Sequence, residues 1–138
     1  CSSFLKISLV TDFTDSFNVT KDFLGPGTAP LTKIKLFDFG DLEKCENYFT
    51  LLKEEAYKRL NLNKFPIFIG GDHSVSIPLE AAFFDWCVEN NKIPAIIHLD
   101  AHPDICDFYD GSIYSHACTN KRSIDYGYKP EDVVLVGI

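Results

Sequence analysis

The sequence has no methionine and a single tryptophan. Without methionine, residue 1 is not expected to be the natural start, and the chain is expected to be part of a longer protein. Its five cysteines, Cys1, Cys45, Cys87, Cys106 and Cys118, include no CxxC pair and follow no regular framework. Such a set predicts free thiols in a reducing compartment, and with no secretory leader visible the expected location is cytoplasmic. No apolar run approaches the about 20 residues that cross a bilayer, so no membrane partner is expected. Basic residues are nowhere dense, and the net charge is −7, which argues against nucleic acid. That acidic balance is compatible with a small cationic substrate. There is no repeat and no low-complexity tract.

What is present is ordinary for a globular protein: 138 residues, 46% of them hydrophobic. That length suits one domain, 1–138, with a real core. Phe4 to Val10, Ile34 to Phe39, Phe65 to Ile69, Ile93 to Leu99 and Val133 to Ile138 read as strands. Gly25-Pro26-Gly27, with Pro30 close behind, is a loop signal. Gly40 or Asp41 is expected to open a helix in which Cys45, Tyr48, Phe49, Leu52, Ala56 and Leu60 recur at helical spacing. Ser76 to Val88 predicts a second helix, apolar nearly all round and therefore deeply packed, and Thr119 to Ile124 a third. Strands alternating with helices imply an α/β domain. Strands that are apolar without alternation imply a largely parallel sheet buried on both faces.

Chemistry concentrates between residues 73 and 116, where all four histidines fall. His98-Leu99-Asp100-Ala101-His102-Pro103-Asp104 follows the apolar run Pro94-Ala95-Ile96-Ile97. Residues two apart in extended chain point the same way, so Asp100, His102 and Asp104 could converge at a strand end. Carboxylates held that close repel and lose hydration, and a divalent cation is the usual compensation. Gly70-Gly71-Asp72-His73-Ser74 follows the preceding strand, and ligands of open α/β sheets bind at that carboxyl edge. Blander readings compete: His73 as a loop histidine, Asp72 as a helix cap, and the Asp100 group as a solvated acidic loop. His98 reads as a buried strand histidine with a hydrogen-bonded partner. Cys106 and Cys118 read as packed residues.

Gly-Gly-Asp-His-Ser, then Asp-Ala-His-Pro-Asp, then Tyr114-Ser115-His116-Ala117-Cys118, in this order and spacing, resembles the ureohydrolases, the family of arginases and agmatinases. The resemblance runs from about Phe65 to Ile138. It implies an arginase-like three-layer α/β/α sandwich on a largely parallel sheet, assembled into homo-oligomers, with two Mn2+ ions. By position, His73 and Asp104 resemble ligands of the first ion, Asp100 the bridging carboxylate, and His102 a ligand of the second. His116 resembles the histidine that moves protons near the substrate. The implied reaction is hydrolysis of a guanidino compound to urea and an amine, with His116 protonating the departing amine.

Arginases carry an asparagine two residues after the second aspartate, where it helps hold the substrate's α-carboxylate; here that residue is Cys106. The loop also departs from the arginase Asn-x-His-Gly form. Both differences point to a decarboxylated substrate, agmatine, giving putrescine and urea, with Asp107 and Asp110 as candidate partners of its distal amine. Formiminoglutamase, guanidinobutyrase and arginase are the alternatives within the family, and a non-catalytic metal-binding fragment is the alternative outside it. The family's further Asp-x-Asp motif does not occur before Ile138. The chain is thus expected to be an amino-terminal part with an open sheet edge, and inactive alone.

Overall fold

The computed structural model describes residues 5–11, 35–42, 45–62 and 64–138. Phe4, the Gly25-Pro26-Gly27 loop, Pro30, Ile34 and Asn63 lie outside these residues. Five strands and three helices follow in the order β1 (Leu5–Thr11), β2 (Lys35–Leu42), α1 (Tyr48–Leu60), β3 (Phe65–Ile69), α2 (Ser76–Glu89), β4 (Ile96–Leu99), α3 (Thr119–Tyr126) and β5 (Val133–Val136). The α/β class expected from the alternation of elements is what is found.

The sheet differs from expectation. Strands β2, β1 and β3 form an antiparallel sheet in that order, while β4 and β5 pair in parallel as a separate ladder. Only the second is of the predicted kind. Continuous apolarity signals burial on two faces only where both are covered. In β3, Phe65, Ile67 and Ile69 are exposed while Pro66 and Phe68 turn inward. Ile97 and Leu99 are exposed in the same way, and in β5 Val134, Leu135 and Val136 all are. The apolar sequence is therefore present on two faces, but the described residues bury at most one.

Element ends shift for identifiable reasons. The helix expected at Gly40 or Asp41 does not begin there, because β2 runs on to Leu42, paired with Leu5 of β1. Gly40, at φ 80, sits where the register slips between Lys6 and Ser8, a bulge that favours glycine. Strand β4 starts at Ile96 rather than Ile93, since Pro94 has no N–H to give a ladder.

Helix α1 buries Tyr48, Leu52, Ala56 and Leu60, one residue per turn on one stripe. Two adjoining clusters result. Tyr48 and Leu52 meet Val75, and Ala56 and Leu60 meet Ala82, with Phe68 and Leu79 packed against both. Helix α2 is less deeply packed than its composition suggests: Ile77, Pro78, Ala81, Ala82 and Cys87 are buried, but Val88 is exposed. Across α1, α2 and α3, Lys53 Nζ lies 2.7 Å from Asp85 and 2.6 Å from the Tyr126 hydroxyl.

Helices α2 and α3 are also joined through Glu80. The Ser123 hydroxyl donates to its carboxylate, and the Tyr128 hydroxyl donates to its backbone carbonyl at 2.8 Å. Burial pushes the Glu80 carboxyl up from its ordinary 4.5 to about 7, against the opposing effect of the Ser123 bond. Stability from this group is full below its unfolded value and is lost as pH rises toward 7, where a buried carboxyl must ionise. Glu80→Gln mimics the protonated form. It is expected to match wild type near pH 4.5 and to exceed it by up to about 3 kcal/mol at pH 8, as read from urea denaturation at both pH values.

Candidate metal centre

The first ligand-bearing loop begins where β3 stops. Asp72 accepts from the Ser74 N–H at 2.9 Å and so opens a 3-10 turn over His73–Val75. Asp72 is therefore a cap, as its bland reading proposed. Val75 plugs the turn into the α1 core, which leaves His73 half-buried at the rim.

The second loop leaves β4. Its first residue extends the β4–β5 ladder, with the Asp100 N–H donating to the Val136 carbonyl at 3.1 Å. Gly137 then passes close to the Asp100 backbone at φ 103. A Cβ there would meet the Asp100 carbonyl oxygen at 3.0 Å, so glycine permits this approach. Asp100 Oδ1 accepts from the His102 backbone N–H at 2.9 Å and faces His102 Nδ1 at 3.0 Å. The backbone bond first, then the imidazole, hold the Asp100 carboxyl below the usual carboxylate range, so it is ionised at neutral pH.

Asp104 is buried and takes a left-handed backbone, φ 46. The first turn of α3 holds it. The Asn120 N–H donates to the Asp104 carbonyl at 3.0 Å, and Asn120 Nδ2 donates to the Pro103 carbonyl at 2.9 Å. The side chain then meets the first loop, with Asp104 Oδ2 2.7 Å from His73 Nδ1.

One donor atom from each of His73, His98, Asp100 and Asp104 lies within 4.8 Å of the others. Three of the four ligands expected from sequence thus come together. His102 is largely exposed and touches the group through Asp100, while His98, read as a strand histidine, stands inside it. The donors are imidazole nitrogen and carboxylate oxygen, with no thiolate. This set fits a divalent cation such as manganese, and the ionised Asp100 supplies charge for one.

A cavity of about 400 Å³ opens over the group and is lined by Asp100, His102, Asp104, Cys106, Tyr109 and His116 among others. His116 is thus part of the cavity wall, and Tyr109 packs edge-on to its ring with centroids 5.3 Å apart. Asp107 and Asp110 do not line it. Asp107 is exposed and pairs with Lys121 at 3.3 Å and Arg122 at 3.6 Å. Asp110, at φ 48, and Gly111, at φ 78, are the centre of a tight turn closed by Tyr109 and Ser112. The Asp-Gly pair is turn chemistry, and neither acid is among the cavity's lining residues.

A model of the arginase family matches residues 12–138. The chain belongs to the arginase family. It is 34% identical over 114 residues to an agmatinase of Bacillus cereus, covering 78% of this chain and 37% of that protein. It is 38% identical over 94 residues to N(1)-aminopropylagmatine ureohydrolase of Thermus thermophilus, 68% of this chain and 30% of that one. Arginase 1, mitochondrial, of Oryza sativa subsp. indica is 44% identical over 86 residues, 60% of this chain and 22% of its own length. The chain thus spans at most 37% of the length of these relatives. No described helix is long and apolar enough to cross a membrane.

Within this arginase-family site, Asn120 is the residue sequence reading missed. It carries no ligand chemistry and lies in another element, so only the fold reveals that it clamps the metal loop. Asn120→Ala is expected to lower stability by about 1–2 kcal/mol in urea denaturation and to weaken manganese binding several-fold in calorimetry. Unchanged binding would show that the loop keeps its shape without the clamp.

Proposed function

We propose that the protein carrying this chain is a manganese-dependent ureohydrolase whose substrate is agmatine, released as putrescine and urea. The observation that carries the reading is convergence. His73, Asp100 and Asp104, with His102 beside Asp100, line one cavity together with His116. His73 and Asp104 would hold one ion, His102 the other, and Asp100 would lie between them. Manganese, when bound, supplies the Lewis acidity that makes water a nucleophile near neutral pH.

The chain's own residues do the rest. Asp100 and Asp104 make the floor acidic, which favours a guanidinium over a neutral or anionic ligand. Ile105 and Tyr109 on the wall suit a methylene chain. His116, at the rim, donates the proton that the departing amine requires. Cys106 also lines the cavity, and a thiol is a poor substitute for an amide toward an α-carboxylate. This favours a decarboxylated guanidine, and the agmatinase and aminopropylagmatine ureohydrolase relatives are named for such substrates. Similarity to a plant arginase keeps arginine as the second reading. For the intact protein we propose the three-layer sandwich and a homo-oligomer.

Urea release by the intact protein with manganese, offered agmatine, arginine, guanidinobutyrate and formiminoglutamate, tests this. Agmatine is expected to exceed arginine in kcat/KM by at least about 100-fold, and His116→Asn to lose most of that rate while binding manganese normally. Equal turnover of agmatine and arginine would reject the substrate assignment. Manganese binding without urea from any of them would favour a binding role.

The ligands found among the described residues of this chain are too few for two full coordination spheres. The 138 residues alone are expected to bind at most one manganese ion, weakly, and to release no urea. Two tightly held ions per chain in a metal titration would contradict this.

A further inference from the structure

The one buried residue of β4 is not apolar. His98 is 6% exposed, between Ile97 and Leu99, which are both open to solvent. A polar ring in the one fully buried position of a strand must be satisfied by partners, and those found among the described residues are parts of the candidate metal site. Nε2 lies 3.1 Å from the His102 carbonyl oxygen. A carbonyl can only accept, so Nε2 carries the proton and donates. The same nitrogen is 3.7 Å from Asp104 Oδ2, a second negative oxygen in its field. The ring itself stacks on His73, with centroids 5.0 Å apart and planes 26° from parallel.

These contacts join pieces that the sequence keeps apart. His73 comes from the loop after β3, and His102 and Asp104 from the loop after β4. His98 touches both, from a strand with a fixed ladder partner, as His98 pairs with Leu135. A ring nitrogen of His98 falls inside the four-donor group by distance, yet Nε2, the nitrogen turned toward Asp104, has no lone pair for a cation while it donates to the His102 carbonyl.

We propose that His98 is the positioning residue of the metal centre: it does not ligate, but its N–H fixes the turn that carries His102 and Asp104, and its ring sets the His73 imidazole against them. This rests on the metal-site reading given above. A core residue would tolerate an apolar ring of similar size. A ligand would tolerate neither an apolar ring nor an amide. A positioning donor should tolerate an amide that can still reach the His102 carbonyl.

The variants are His98→Phe and His98→Gln in the intact protein, with manganese alone as the probe, followed by electron paramagnetic resonance. His98→Phe is expected to weaken binding at least about tenfold without lowering the number of ions bound, and His98→Gln to stay within about threefold of wild type. In the metal-free protein, amide hydrogen exchange over residues 101–104 is expected to quicken in His98→Phe and not in His98→Gln. Wild-type affinity and exchange in His98→Phe would overturn the proposal. So would loss of one bound ion in both variants, which would make His98 a ligand. If wild type bound no manganese, the metal-site reading would fail, and the exchange result would still decide whether His98 holds the loop.

Discussion

Asp104 has to place a buried carboxylate beside His73, and the chain reaches that placement only through a left-handed backbone at φ 46. For a residue with a Cβ that conformation costs about 1 kcal/mol or more, so something must hold it. The holder is the start of α3, which donates from the Asn120 backbone to the Asp104 carbonyl and from the Asn120 side chain to Pro103. The loop held in this way also carries the Asp100–His102 contact, the His102 carbonyl that accepts from His98, and the Asp104 carboxylate that meets His73. The helix that does this is itself fixed by Ser123 and Tyr128 against Glu80 of α2. The buried Asp104 carboxylate is thereby tied to a core contact on the far side of α3.

Much of this was legible in the sequence, and the unevenness has physical causes. Helices α1 and α2 could be read because burial on a helix recurs every three or four residues whatever lies outside. His73, Asp100 and Asp104 could be read because ligand types at strand ends are rare enough to signal chemistry. Strand direction could not be read, since Phe65-Pro66-Ile67-Phe68-Ile69 would look the same in a parallel or an antiparallel ladder. An acid beside a cavity and an acid in an Asp-Gly turn have the same letter, and only the left-handed pair Asp110 and Gly111 shows the turn. His98 shares the parity of Asp100 and His102, which was a signal for the site, but only the His102 carbonyl at 3.1 Å shows which way its proton points.

The two ligand-bearing loops hang from different sheets, one continuing the antiparallel β3 and the other the parallel β4. No ladder bond joins β3 to β4 among the described residues. The connection at the site is instead the His73–Asp104 pair, the stack of His73 on His98, and, behind them, the packing of the helices. One hydrogen bond in a partly solvated setting contributes about 1 kcal/mol, more where it is charge-assisted. Cations held by donors from both loops would cross-link the two sheets far more strongly. Because an unfolded chain presents no such preformed site, their binding energy would count as folding energy. Asp104, which already joins the two loops through His73, is thus also one of the groups that would hold such a cation. Cation binding and the joining of the β3 and β4 edges would therefore be one coupled property of this fold.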